Sequence, residues 1–325
     1  FNWVSINTGR MSSRIDAIAT SPSAPQTIYA GASNGILKST DGGVYWEYFE
    51  IGFAYPHYAG SVFALGIAPS APQTLYAATS GQGVCRFTED VGWQSCINPV
   101  SGSGGFVRSL AVDPSSVQTL YAGAYKTVYK STDGGINWDV ADFDFAGTVT
   151  SLAVDPSSPQ TVYAGAAPGG VFRSTDGGIQ WAASNNGLTH NFIYSLAIDP
   201  SSPQILYAGS NGGVFKSTNG GSSWSLLNAG LADTYIYSLA IDPSCPQTVY
   251  AGTASGGVFK LISRPAWDLD ADGITDISVR RPEGGTWYLL RSSSPGSYTG
   301  TSWGVADDIP VLGDYDGDAR SDIAV

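Results

Sequence analysis

Asp268, Asp270, Asp272 and Asp276 stand at positions 1, 3, 5 and 9 of one short loop, and Asp314, Asp316, Asp318 and Asp322 repeat that spacing 46 residues later. Alternate residues of a turning loop point inward, so each set gathers four carboxylates around one centre. Without a cation they would repel one another. A hard cation takes about six to eight oxygens, and the position-7 backbone carbonyls, Ile274 and Arg320, would add one ligand each. The spacing therefore points to Ca2+; the alternative is a solvated acidic turn. Gly273 in the first loop has no counterpart at Ala319, so the second loop is expected to be looser.

The remaining candidate chemistry is sparser. His57 and His190 are the two histidines, and no Ser–His–Asp arrangement is readable. The acids Asp16, Glu47, Glu50, Asp139, Asp142, Asp144 and Asp233 do not recur from repeat to repeat, and two of them facing each other could hydrolyse a glycoside. By contrast Asp113, Asp155, Asp199 and Asp242 all precede proline in equivalent positions, which makes them turn residues.

What positions these groups is a repeat. The segments Ser151–Trp181 and Ser195–Trp224 are the clearest copies, others start near Ala17, Ala64 and Ser109, and a last one starts at Ser238. Trp3, Trp46, Trp93, Trp138, Trp181, Trp224 and Trp267 are 43 to 47 residues apart, the period of a propeller blade. Within Ile193–Asn228, IYSLAID stops at Pro200, ILYAGS follows, Asn211-Gly212-Gly213 turns into VFKST, and Asn219-Gly220-Gly221 turns into WSLLN. Four short strands cannot bury both faces alone, and radial stacking of copies solves this. Small residues at Ser109/Ala111, Ser151/Ala153, Ser195/Ala197 and Ser238/Ala240 place the first strand nearest a crowded axis.

The reading is all-β: a six-bladed β-propeller over residues 1–262 and a small calcium-binding β module over residues 263–325. The last copy has three strands. Asn2–Gly9 carries the W-x-x-x-N-x-G spacing of Trp224–Gly230 and Trp181–Gly187, so it is expected to supply the missing fourth strand and close the ring. Seven blades, with Trp267 opening another fourth strand, is the rival count; Pro265 argues against it.

Forty-one glycines and one methionine fit a turn-rich β composition. Net charge is −12, with 10 basic and 16 acidic residues in 1–263 and 5 and 11 in 264–325. That balance disfavours nucleic acid and anionic membrane as partners, and no apolar run is long enough to span a bilayer. Cys85 and Cys96 replace an apolar pair on neighbouring strands, which suits a disulfide and an oxidising compartment, with two buried thiols as the alternative. Cys245 is expected to be unpaired. The chain starts at Phe1, which fits either a removed signal peptide or a trimmed chain.

STDGGVYW (Ser39–Trp46), STDGGINW (Ser131–Trp138), STDGGIQW (Ser174–Trp181) and STNGGSSW (Ser217–Trp224) resemble the Asp-box of BNR propellers, a family of sialidases, sortilin-type receptors, xyloglucan hydrolases and photosystem II assembly factors. The resemblance implies a structural hairpin away from the ligand face. The second blade departs from it with RFTEDVGW (Arg86–Trp93), where the disulfide is expected to compensate. Residues 264–325 resemble the FG-GAP/VCBS calcium repeats of integrin-like and bacterial surface proteins. With fewer than two copies present, the strand edge near Val325 is expected to continue into further chain or to pair in self-assembly.

Loops between blades carry Tyr55, His57, Tyr58, Phe145, His190 and Tyr235, and the first strands begin with unlike residues, Arg108, Tyr194 and Tyr237 among them. These nine form the candidate ligand-binding set for a protein or glycan at the propeller mouth; packing between blades is the alternative for each. The arginine cluster and Arg-Ile-Pro signature of sialidases are absent. The function expected is a non-enzymatic extracellular or cell-surface propeller for adhesion, ligand binding or assembly, stabilised by calcium, with a glycoside hydrolase of the Asp-box type as the alternative.

Overall fold

Each copy of the repeat folds into one antiparallel sheet whose strands follow chain order. In the computed structural model, the described residues are 14–21, 24–49, 61–68, 74–94, 96, 106–142, 144–243, 246, 248–262, 277–281, 286–290, 298–302, 311–313 and 322–324. Within residues 1–262 they form six sheets and no helix, a six-bladed propeller arrangement. Five sheets have four strands and the sixth has three. The first strands, Ile15–Thr20, Val62–Ala68, Val107–Asp113, Thr148–Val154, Ile193–Ile198 and Ile236–Ile241, lie side by side in series. Closure through Asn2–Gly9 lies outside the described residues.

The repeated polar residues hold turns. Asp155 Oδ1 accepts from the amides of Ser157 and Ser158, and Asp199 Oδ1 does so from Ser201 and Ser202. In the STDGG turn, Ser131 Oγ donates to Asp133 Oδ1 at 2.8 Å and accepts from the Gly135 amide at 2.9 Å. Asp133 Oδ1 then accepts from the amides of Ile136 and Asn137, and Trp138 Nε1 donates to the Gly135 carbonyl. Gly134 and Gly135 take φ of +74° and +84°, which a side chain would strain. Asn219 substitutes as acceptor in the fifth blade.

These turns also join blades. Tyr76, Tyr121 and Tyr163 donate their hydroxyls to the carbonyls of Gly134, Gly177 and Gly220, each in the next blade's turn. Burial raises the Tyr121 hydroxyl pKa to about 12, so it stays a donor at any working pH. Between sheets, side chains interlock. Gly31, Gly123, Gly165 and Gly209 leave room for Val62, Val149, Ile193 and Ile236 of the next blade, each of which is 0 % exposed. The small serines have a second task besides fitting a crowded strand. Ser109 Oγ donates to the Val149 carbonyl, while Ser151 and Ser195 Oγ accept from the amides of Leu196 and Leu239.

The two end blades differ from the inner ones among the described residues. Leu152 and Leu196 are each 8 % exposed against a preceding blade, whereas Ile18, their counterpart in blade one, is 69 % exposed. A Cβ at Gly252 in blade six would meet Ser238 of its own blade and no described residue of another.

Blade two lacks the STDGG turn. Trp93 Nε1 finds no partner among the described residues, and Tyr29, Phe49, Phe87 and Trp93 pack ring to ring at 4.7–5.7 Å. Cys85 and Cys96 are disulfide-bonded there.

The carboxylates of these turns make stability acid-sensitive. Backbone amides, that of Asn137 first, hold Asp133 down to about 2, and the amides of Tyr45 and Gln180 lower Asp41 and Asp176 in the same way. A folded pKa below the unfolded value of about 3.9 contributes stability above that pH and loses it as the pH falls through the folded pKa. The melting temperature is therefore expected to fall between about pH 4 and pH 2. The triple variant D41N/D133N/D176N, which gives these turns the uncharged acceptor found at Asn219, should flatten that limb in thermal scans; an unchanged acid limb would assign it to other groups.

Contacts divide the chain into Phe1–Pro246 with Tyr250–Phe259, and Gln247–Val249 with Lys260–Val325. In the C-terminal part, Ile277–Arg281, Thr286–Leu290 and Tyr298–Ser302 form a three-stranded antiparallel sheet, and Val311–Gly313 pairs with Asp322–Ala324. Asp322 thus begins a strand. Asp268, Asp270, Asp272, Ile274, Asp276, Asp314, Asp316, Asp318 and Arg320 lie outside the described residues.

A candidate binding face at the propeller mouth

Antiparallel order gives every blade two unlike ends. The Asp-Pro and STDGG turns share one end. The turns between second and third strands share the other, with the segments that lead into each first strand. Bridges Ser80↔Phe106 and Tyr125↔Thr148, and the bond from the Lys126 amide to the Gly147 carbonyl, tie this second end from blade to blade. It is the mouth.

The first strands of blades one to five each carry a β-bulge as they leave the mouth. The ladder skips Asp16, Phe63, Arg108, Thr150 and Tyr194 in the first five blades. A bulged residue is unpaired and its side chain re-aimed, so one position per blade is released from sheet packing. Tyr237 holds the same repeat position in blade six. These residues differ from blade to blade while their surroundings repeat.

Two are satisfied internally. Asp16 pairs with Arg14 at 2.9 Å, and Thr150 Oγ1 donates to the Ile193 carbonyl. The other four form two neighbouring pairs. The Arg108 guanidinium carbon lies 3.9 Å from the Phe63 ring centroid, a cation–π contact with the guanidinium still exposed. The Tyr194 and Tyr237 rings pack tilted at 50°, 5.3 Å apart, with Tyr237 56 % exposed. Burial first, then the charge of ionised Tyr237 and Tyr235, raises the Tyr194 pKa.

The other expected ligand residues are dispersed. Tyr235 is exposed, two residues before Tyr237. Phe145 is buried, edge-on to Phe172 at 4.8 Å and near Trp181 at 5.5 Å, so it belongs to the blade core and not to the mouth surface. His190 covers the Gly212 backbone and bonds Thr189 through Nδ1, acting as a local clamp. Its counterpart in blade six, Asp233, accepts from the Ser255 hydroxyl and from the amides of Tyr235, Ser255 and Gly256. The Ser255 hydroxyl, the largest influence, and these amides hold its pKa to about 2. Tyr55, His57 and Tyr58 lie outside the described residues.

Phe106, Tyr125 and Lys126 also stand at the mouth, and neither residue type nor spacing singled them out. One sequence signal existed: Lys126 occupies the turn position filled by Gly169 and Gly212 in blades four and five.

The described cavities lie elsewhere. One of roughly 350 Å³ is lined by the first strands near the Asp-Pro turns, with the apolar side chains of Leu110, Val112, Leu152, Val154 and Ile198. Another of roughly 470 Å³ runs along Trp181–Asn186, beside the amide-bound Asp176.

No protein-family model and no curated protein matches the chain. Solved structures do. The GH74 enzyme of Niastella koreensis aligns with 21 % identity and a TM-score of 0.61 over 85 % of this chain and 50 % of its own. YCF48 bound to D1 peptide aligns at 16 % and 0.58 over 77 % and 78 %. The extracellular domain of the putative hybrid two component system BT4673 from B. thetaiotaomicron aligns at 15 % and 0.61 over 93 % and 41 %. The chain spans about half the length of the GH74 structure. At these identities the likeness is one of fold. No helix among the described residues is long and apolar enough to cross a membrane.

Proposed function

We propose that the chain is a non-enzymatic ligand-binding propeller of the extracellular space or cell surface, serving adhesion or structural assembly. The observation that carries this reading is the set of bulged residues: unlike side chains, two aromatic pairings among them, presented at one mouth by an otherwise repeated frame. A protein or a glycan is the ligand class that such a face suits. The disulfide supports an oxidising compartment. The bonding in the four STDGG-type turns supports membership of the Asp-box propellers and a purely structural role for those aspartates. For the C-terminal repeats we propose Ca2+ held by the Asp268 and Asp314 loops; eight carboxylates and two backbone carbonyls are a hard-oxygen donor set that fits this ion. We also propose self-assembly through a strand edge of these repeats.

The likeness to a GH74 enzyme favours a second reading, glycoside hydrolysis. That chemistry needs two free carboxylates facing each other across about 5–9.5 Å. Asp16 is bound to Arg14 and Asp233 to a turn, which removes two of the candidates.

A glycan and peptide array run beside a hydrolysis assay tests both readings. The expected result is retention without turnover, abolished by Y194A/Y237A. Product release would replace the binding reading with the hydrolase. In the same samples, chelation should lower the melting of the C-terminal part, since a ligand at a hundredfold excess over Kd contributes about 2.7 kcal/mol. No shift removes the calcium assignment.

A further inference from the structure

The propeller's cations separate into two kinds. Lys38, Lys130, Arg173 and Lys216 occupy one repeat position on third strands, each 5.6–5.8 Å from the ring of Tyr29, Tyr121, Tyr163 or Tyr207. Arg86 faces Tyr76 in the same register, and Lys260 holds that position in the sequence. These are parts of the blade. Among the described cations of residues 1–262, Arg14, Arg108 and Lys126 are left over, and all three stand at the mouth. Arg14 is neutralised by Asp16. Arg108 and Lys126 both belong to blade three, are exposed, and meet no carboxylate among the described residues.

Lys126 is held there against its own backbone preference. Its φ is +60°, the one left-handed non-glycine among the described residues, at a turn position held by glycine in blades four to six and by Asn34 and Gln82 in blades one and two. A side chain kept in a strained conformation points to a function for that side chain. Its ammonium lies 5.7 Å from the ring of Tyr125, which is 59 % exposed. Arg108 is bulged opposite Gly123 and Ala124, the strand end that runs directly into the Tyr125–Lys126 turn. Blade three thus offers two cations, each seated on an aromatic ring, at one end of one ladder, in a propeller that is acidic as a whole.

We infer that this face of blade three recognises a carboxylate-bearing polysaccharide. The inference rests on the mouth being the binding face and names what it binds. A guanidinium fork matches a carboxylate in two parallel bonds, and exposed rings stack on sugar faces. Among the described residues, the exposed large apolar side chains at the mouth of blades two and three are aromatic, Phe106 and Tyr125. The exposed aliphatic ones of these blades, Val91, Ile136 and Val140, lie at the opposite turns and on a fourth strand. Flat rings with no exposed aliphatic side chain beside them among the described residues suit a sugar better than the side chains of a peptide.

The test titrates the full chain with an oligogalacturonate, its carboxyl-reduced neutral form, and polyglutamate. The acidic saccharide should bind about tenfold tighter than the neutral form, and R108Q/K126G should remove that difference. K126G should hold or raise the melting temperature, because glycine accepts the left-handed turn, so lost binding cannot be lost folding. Equal binding of both saccharides, still abolished by Y194A/Y237A, overturns the anion inference and leaves the mouth as the binding face. Polyglutamate bound through Arg108 and Lys126 while saccharide is ignored makes the occupant an acidic peptide and overturns it too. If no probe binds and the Y194A/Y237A variant also leaves the array unchanged, the inference and the binding reading fail together.

Discussion

Replacing Gly165 with valine is expected to lower the melting temperature of the propeller by about 6–12 °C. The strand prefers valine to glycine on intrinsic grounds, so the loss has to come from packing. A Cβ at this position would lie 2.7 Å from Ile193 Cγ2 and 3.4 Å from Leu196 Cγ, both in the next blade, and valine adds two methyls beyond that Cβ. Ile193 is 0 % exposed and has no room to retreat. Overpacking a filled core costs about 1–3 kcal/mol, and this crowding belongs at the upper end. For a domain of this size each kcal/mol shifts melting by about 2–4 °C. I193A alone leaves a cavity and costs about 2–5 kcal/mol. The double variant G165V/I193A should cost less than the two added together, because each change relieves the other. Strict additivity would mean that the blades do not interlock at this pair. Gly252 is the matched control, with no described residue of another blade within 4 Å of its Cβ. G252A should cost little beside G165A.

The propeller was legible because its turns are written in chemistry that acts locally. Asp-Pro stops a strand and Asp155 or Asp199 then binds the following amides, so period and strand count could be read without long-range information. The W-x-x-x-N-x-G spacing was visible too, but its reason was not. Asn185 Oδ1 accepts from the Val171 amide while Nδ2 donates to the Gly169 carbonyl, and Asn228 repeats this with Val214 and Gly212. One amide thus fastens the fourth strand to the mouth-end turn. The binding face was less legible. A bulge is a fault in register between two strands, so the sequence reveals unlike residues at Arg108 and Tyr194 and not their release from the ladder. Phe145 looked like a loop aromatic because its contacts, Phe172 and Trp181, are 27 and 36 residues away. Lys126 was hidden because backbone strain has no signature in residue type.

Removing the Cys85–Cys96 disulfide is expected to cost about 3 kcal/mol, the chain-entropy value for a loop of this length. The bond spans 11 residues and sits where blade two has lost the devices its neighbours use. In blades one, three and four the tryptophan indole donates to a turn carbonyl, whereas Trp93 Nε1 has no partner among the described residues. In the register of the sheets the serine and aspartate that bind turn amides at Ser131 and Asp133 are Phe87 and Glu89 here, in a sequence without the paired glycines. The fourth strand is only Gly92–Trp93. Ring packing among Phe49, Phe87 and Trp93 fixes the position of the indole but not the path of the chain after it. The covalent link at Cys96 supplies that restraint, three residues beyond Trp93. C85A/C96A should therefore unfold at lower denaturant than the parent, and blade two should lose amide protection before blades four and five. Restoring a turn in the reduced chain, by writing Ser131–Trp138 into Phe87–Trp93 with one added residue, should recover part of the loss. If C85A/C96A matches the parent within about 0.5 kcal/mol, the aromatic cluster alone holds the blade and the disulfide has no compensating role.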